Sequence, residues 1–536
     1  MRSALKMVAK VLDTPLKDLP SSPPKLGPLL YRANPALAHM TRTRWVAVVS
    51  LVRGALAEAG VEVMPGRDID GLDPEWRALA DKLPGRRHRY GLSSLMSFFS
   101  RSGVAPSAVD ASALESFRDA LATTSFDPTP LTTFNRVARL WNEAGEQVPE
   151  WPQPRAQRTP DPRRYSLPWD HFPPTFLEDV ERFLGHTGNQ NPLSADYAPS
   201  VKPSTTENRR QCLRQLASAL VVSGFPVLKV TGLAALVEPD NATAALQFFL
   251  DRNGGKTPQL ENLAQLLCTI ARHWVKAPAH DKLLRQVTSN LRDERKGMTA
   301  KNRACMRQFT HLENRYALLT LPARVAEHVR RHDQDRKGEA VRLMLALAVE
   351  ILIKGAPRIN NLAGLEVERH LVRVRRAGKV HWHILVPEGE TKTGVRFEMR
   401  ISPETAKLLT SYLENYRERV CSPAGIYLFP GRGGGRRSTE SFGQMITEFV
   451  NRETGLKMTP HQFRHLVGAL HLQLHPEDIE TVRQMLGHKS TRTTLKAYAD
   501  IFTEAAQRRW DETIATCRTT AESECKQRPS ARRRAA

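Results

Sequence analysis

Apolar residues recur at three- and four-residue intervals over most of the chain. They divide it into helical blocks separated by stretches where the period fails. In the first block, Trp45, Val49, Leu51, Val52 and Leu56 mark one helix, Leu92, Leu95, Met96 and Phe99 a second, Ala113–Leu121 a third and Leu131–Trp141 a fourth. The pattern returns after Pro174, with helices predicted at Phe176–Leu184, Thr205–Val222, Asn241–Arg252 and Thr257–Val275. Between the blocks, Pro149–Pro174 is so dense in proline that neither helix nor sheet is expected, only an extended linker. Residues 1–40 are Pro- and Lys-rich with little periodicity and read as a loosely ordered arm. The two blocks carry a faint repeat. LMSFFSRSGVAPSAVDASAL, from Leu95, and LASALVVSGFPVLKVTGLAAL, from Leu216, both run helix, Ser-Gly, a short turn with proline, helix start.

The C-terminal part mixes periods. Val341–Ile353 is apolar almost throughout and predicts a buried helix, whereas His370–Val374, Lys379–Val386 and Val395–Ile401 alternate and predict a small antiparallel sheet. Ala377-Gly378 is its first expected turn and Gly389–Gly394 its second; Pro403–Val420 reads as an amphipathic helix. Thr459 suits an N-cap and Pro460 a first helical turn, with Phe463, Leu466, Val467 and Leu470 as the buried stripe. Pro476 is expected to start another helix that Gly487 stops, and Ser490 or Thr491 to cap a third. The predicted fold class is mainly α with a small antiparallel β-sheet. The predicted domains are an arm at 1–40, a helical domain at 41–148, the linker at 149–173, a second helical domain at 174–296, an α+β domain at 297–518 and a basic tail at 519–536.

Composition narrows the partner. Lys and Arg number 79 against 56 acidic residues, a formal net charge of +23, which favours a polyanion: nucleic acid first, an anionic membrane second. Lys282–Arg307 concentrates that charge. No apolar run is long enough to span a bilayer and Met1–Pro20 lacks a signal-peptide core, so a cytoplasmic, DNA-associated location is expected. The six cysteines lack C-x-x-C pairs and read as reduced thiols. The loop GRGGGRR, from Gly431, lacks the G-K-[ST] ending of a nucleotide-binding loop. His461 and His465 have the i, i+4 spacing of a zinc helix, but no glutamate follows His461 and Arg464 lies between them, which disfavours a metal.

The chemistry concentrates in TPHQFRHLVGALHLQLHPEDIETVRQMLGHKSTRTTLKAY, which runs from Thr459 to Tyr498. His461 and Arg464 are i and i+3 and share a helix face; His488 follows a helix end; Tyr498 lies ten residues further on. A tyrosine of ordinary pKa is a weak nucleophile until its proton is taken. An arginine fork holds phosphoryl oxygens, and histidine moves protons. Taken singly, each residue has a bland reading, as a surface cap, a helix-end histidine or a half-buried tyrosine. In this order and spacing they suit attack of a phenol on a phosphodiester.

This box resembles that of the tyrosine recombinases (phage integrases). The resemblance extends upstream: Arg358, in KGAPRINNLAGL, matches the family's first arginine, and Lys392, in EGETKTGVRFEMRIS, its hairpin lysine. One departure is Asn361, where the family usually has an acid three residues after that arginine. The resemblance implies a DNA-clamping role for the second helical domain. It implies double-stranded DNA as partner, a homotetramer on DNA, and a final helix at 499–518 suited to docking on a neighbour. The implied catalytic set is Arg358, Lys392, His461, Arg464, His488 and Tyr498, working through a 3′-phosphotyrosyl bond with no metal, ATP or other cofactor. Two further function classes stay open: a relaxing topoisomerase of similar chemistry, and a DNA-binding regulator without catalysis.

Overall fold

A computed structural model describes residues 2–38, 40–66, 68–160, 164–186, 193, 201–292, 297–334, 336–376 and 379–527. The chain forms two compact units: Met1–Ala156 together with Lys296–Ala536, and Gln157–Arg295. The described residues are mostly helical, with one three-stranded antiparallel sheet in the order β1 (Leu371–Arg376), β2 (Lys379–Val386), β3 (Phe397–Arg400). Among them no helix is long and apolar enough to cross a membrane.

The arm expected at 1–40 is instead helical, at Arg2–Leu12 and Pro23–Arg32. Its most buried residues are spaced i, i+4, Ala4 with Val8 and Leu26 with Leu30, and Leu5, Met7, Val11 and Leu12 pack beside them. They close a small core with Trp45, Val48, Val52 and Phe126. Proline concealed this, because Pro23 sits in a first turn, where the missing N–H costs nothing. The same segment meets the C-terminal part of its unit: Lys457 Nζ donates to the Tyr31 carbonyl at 2.7 Å. The Pro-rich stretch is extended but not free. Trp151 and Ala156 are buried, and the Trp141 indole donates to the Pro154 carbonyl at 2.8 Å.

The faint sequence repeat has a structural counterpart. Helix Pro74–Lys82 buries Trp76 and Ala80; helix Pro174–Gly185 buries Phe176 and Val180 at the same positions. The next helices, Arg86–Arg101 and Pro203–Val222, both end in Ser-Gly with the glycine at positive φ (66° and 102°), and a short 3₁₀ turn follows each. Each helix buries one equivalent serine whose hydroxyl accepts a backbone N–H from the incoming chain: Ser97 from Asp68 at 3.2 Å, Ser218 from Leu167 at 2.9 Å. Each is also tied to the preceding helix by an equivalent ion pair, Arg89–Asp81 and Arg210–Glu181. Two further helices complete each copy, Ala111–Thr124 and Pro130–Gln147 in one, Pro239–Asn253 and Pro258–His273 in the other.

In the C-terminal block, helix Lys337–Gly355 is buried on nearly every face, as its composition predicts. It stops at Ala356, whose φ of 43° is left-handed, and the chain re-enters a short helix, Ile359–Ala363, with Arg358 as its N-cap residue. Strand β2 pairs both neighbours, Ile384 lying opposite Leu371 on one side and Met399 on the other. The first expected hairpin turn, Ala377-Gly378, lies outside the described residues, as does the end of the basic tail from 528. The basic segment 282–307 takes in most of helix Pro278–Leu291 and all of helix Ala300–Arg307. The glycine-rich loop closes on itself through Gly431 N–H to the Gly435 carbonyl at 2.7 Å, and Arg436 reaches the Asn360 carbonyl.

Candidate active site

The box folds as three consecutive helices. Thr459 caps Pro460–Leu474, with Gln462 completing a capping box; Phe463 and Leu466 are buried, Val467 and Leu470 half-buried. The next helix begins at Ile479, three residues later than Pro476 suggested. The Asp478 carboxylate caps it by accepting the Thr481 N–H, while Pro476 and Glu477 form the turn before it. Gly487, at φ 56°, ends it in the left-handed conformation that glycine adopts without a Cβ penalty. The third helix, Thr491–Gln527, is kinked at Tyr498, whose backbone (φ −118°, ψ 19°) is not helical.

Five of the six candidates share one basin. Arg464 is 5% exposed; its guanidinium donates to the Ala356 carbonyl at 2.7 Å and to the Leu486 carbonyl. Those carbonyls end the helices that precede Arg358 and His488, so one side chain pins three segments. Arg358 is half-buried, and its only hydrogen bond among the described residues is a long one, 3.5 Å, to Thr393 Oγ1. Thr393 Oγ1 in turn donates to the Gly487 carbonyl at 3.2 Å, which draws the turn bearing exposed Lys392 toward His488. The His488 Nδ1 is 2.9 Å from buried Thr494 Oγ1.

Positive charge goes uncompensated here. Burial, then Arg464, Arg358 and Lys392, hold the His461 imidazole below its ordinary pKa. Burial, then Arg464, Arg358 and Arg483, bring His488 down to about 4. Arg464 itself is lowered to about 10, by burial and then by Arg358. No carboxylate contributes to any of these shifts. Asn361 lines the small cavity between Arg358 and Arg464, where an acid would have neutralised part of the field. The basin therefore gathers cationic groups around imidazoles held in their neutral form.

Tyr498 is the exception. It is 1% exposed, and its hydroxyl donates to the Arg464 carbonyl at 2.8 Å, not to a histidine. Burial raises its pKa well above 10, with Arg464 offsetting part of the rise. The ring lies on Gly468: a Cβ there would fall on the phenol oxygen and Cζ, far inside contact distance. The tyrosine is thus beside the basin but stored, its oxygen committed to the backbone.

Sequence reasoning weighed His465 only as a zinc ligand beside His461 and left it out of the catalytic set. Its ring lies 5.2 Å from that of His461 and 6.3 Å from that of Tyr498. Asn302 Nδ2 donates to its Nε2 at 2.9 Å, which leaves the proton on Nδ1, buried without a partner. Its pKa falls to about 4, through burial and then His461, Arg464 and His488. The i, i+4 spacing on the box helix was the available signal. Among the described residues no cluster of His, Cys, Asp or Glu is arranged to hold a metal ion.

The lowered histidines fix a stability prediction. In the folded state His465 and His488 stay neutral down to about 4, whereas unfolded histidine takes a proton near 6.5. The unfolded chain then binds more protons between those values, so their contribution, present above 6.5, is lost as pH falls towards 4. Urea melts at pH 7, 6 and 5 are expected to show a falling midpoint, and replacing either histidine by Gln to flatten the fall. A phosphate in the basin raises both pKa values and is expected to offset the loss.

Residues 324–505 match the phage integrase family. The tyrosine recombinase XerC of Pseudomonas entomophila is 28% identical over 148 residues, 27% of this chain and 44% of that protein. XerC of Myxococcus xanthus is 28% identical over 171 residues, 30% of this chain and 52% of that protein. The chain thus spans about half the length of these relatives. A solved structure of the XerH site-specific recombinase bound to a palindromic difH substrate aligns over 58% of this chain and 79% of its own, at 16% identity and a TM-score of 0.36.

Proposed function

Residues 324–505 of this chain belong to the tyrosine recombinase (phage integrase) family, and we propose that the protein is a site-specific recombinase that cuts and rejoins double-stranded DNA through a 3′-phosphotyrosyl intermediate. The observation that carries this reading is the convergence of Arg358 and Arg464 on both His461 and His488, with Lys392 acting on His461 and no acid among the groups that shift them. Such a site is complementary to a phosphodiester whose non-bridging oxygens gain charge as a fifth bond forms. One guanidinium–oxygen contact near 4 Å contributes about 4 kcal/mol at an effective dielectric of 20. Two contacts fixed before the reaction supply a large part of the barrier lowering.

In the reaction, Tyr498 Oη forms a bond to phosphorus and the P–O5′ bond breaks. His461 takes the phenol proton, Lys392 gives one to O5′, and His488 donates to a non-bridging oxygen. The bound anion raises the pKa of both imidazoles, which makes His461 a stronger base towards the phenol and favours the charged, donating form of His488. The phosphodiester energy stays in the new P–O bond, so the step is reversible by a second 5′ hydroxyl, and it calls for neither metal nor ATP. Tyr498 first has to leave the Arg464 carbonyl, and the kink at its own backbone is where the helix gives.

The final helix, Thr491–Gln527, is exposed over 510–523 except at half-buried Ile514, and its solvent-facing Trp510 suits packing on a neighbouring subunit. This favours strand exchange in an assembly, a tetramer on DNA, over relaxation by one subunit. Two cognate sites on separate molecules are expected to yield joined products. Relaxation of supercoiled DNA without joined products would assign the chemistry to a topoisomerase instead.

A further inference from the structure

The turn that carries Lys392 is anchored by a carboxylate that the reaction above leaves unused. Glu390, two residues earlier, accepts from Arg369 and lies 3.0 Å from His370 Nε2. His370 is 1% exposed, and its Nδ1 accepts the Glu366 backbone N–H at 2.9 Å. A backbone N–H can only donate, so Nδ1 carries the lone pair and the ring proton sits on Nε2, facing Glu390. The backbone thus fixes the tautomer, and the tautomer fixes the carboxylate. Glu390 closes the short helical turn Glu388–Glu390. Buried Thr391 then bonds back to the Glu388 carbonyl at 3.1 Å, and Thr393 bonds forward to Gly487. Lys392 stands between these two anchors.

A lysine ammonium is a point charge on a flexible four-carbon stem, so its placement depends on the backbone beneath it. We infer that Glu390, clamped by His370 and Arg369, is a positioning residue that sets Lys392 against the leaving O5′. The inference rests on the proposed role of Lys392 as proton donor. It makes the proton-donating step depend on a buried imidazole at the end of the short helix Val367–His370, just before β1 and outside the box that binds the phosphate.

Single-turnover cleavage of two nicked DNA substrates tests this, one with O5′ and one with sulfur at the same bridging position. A thiolate leaves without a proton, so sulfur rescues any defect confined to proton donation. Lys392→Ala is expected to slow the oxygen substrate by about 10²–10⁴-fold and to be restored by sulfur. Glu390→Ala is expected to lose at least about tenfold on oxygen and to be restored by sulfur likewise. Glu390→Gln, which keeps an acceptor for the His370 N–H, is expected to lose less. Thermal melts and DNA affinity report whether each variant is folded. Native speed of Glu390→Ala on oxygen, or equal slowing on both substrates, overturns the inference. If sulfur fails to rescue Lys392→Ala itself, the proton-donor role falls, and the inference with it; rescue of Lys392→Ala without rescue of Glu390→Ala removes the inference alone.

Discussion

Arg464→Lys is expected to slow cleavage by orders of magnitude and to weaken the fold at the same time. The guanidinium spans the Ala356 and Leu486 carbonyls from a nearly buried position. Lysine keeps the charge but lacks the planar fork, so it reaches one carbonyl and leaves the other buried without a donor. That costs about 1–3 kcal/mol, readable as a lower urea midpoint. Catalysis suffers twice. One phosphate contact is lost, worth about 10²–10³ in rate for a comparable oxyanion donor. In addition, the two helix ends that Arg464 pins are those that place Arg358 and His488. A single-turnover rate at least about 10³-fold below native is expected. A variant that unfolds normally and cleaves within a few fold of native would mean that Arg464 faces no phosphate.

The box was readable because its chemistry is local. Thr459-Pro460, the i, i+3 pair His461 and Arg464, and the Gly487 stop each follow from helix geometry, and the order of the clusters carried the resemblance. The alternating runs similarly gave the three strands, and the apolar run at 341–353 the buried helix. The storage of Tyr498 was not readable, since it depends on Gly468 thirty residues upstream and on a kink no propensity marks. The same holds for Thr393 and the His370–Glu390 pair, which act through contacts made only once the sheet and the box are packed. At the N-terminus the signal was present but short. The apolar positions of Arg2–Leu12 and Pro23–Arg32 lie among prolines and lysines, and Trp45 and Phe126, which cover them, lie far along the chain. Asn361 marks a limit of analogy: the missing acid leaves the basin more cationic, and the Thr393 hydroxyl is what meets Arg358.

The second large effect concerns the nucleophile. Tyr498 is held by one hydrogen bond and by the absence of a side chain at Gly468, so Gly468→Ala removes its seat without touching the basin. The variant is expected to expose the phenol and bring its pKa back towards 10. It is also expected to form adduct faster, by about fivefold for each kcal/mol that storage contributes. Slower cleavage with an unshifted phenol titration would show that the seat belongs to the reactive conformation.

The most direct measurement traps the intermediate. A nicked duplex that loses its 5′ fragment after cleavage cannot be resealed, so any phosphotyrosyl bond accumulates and can be mapped by peptide. The native protein is expected to carry the DNA 3′ end on Tyr498, in the absence of metal and ATP, and Tyr498→Phe to carry none. No adduct with the native chain, or an adduct that survives Tyr498→Phe, would contradict the assignment.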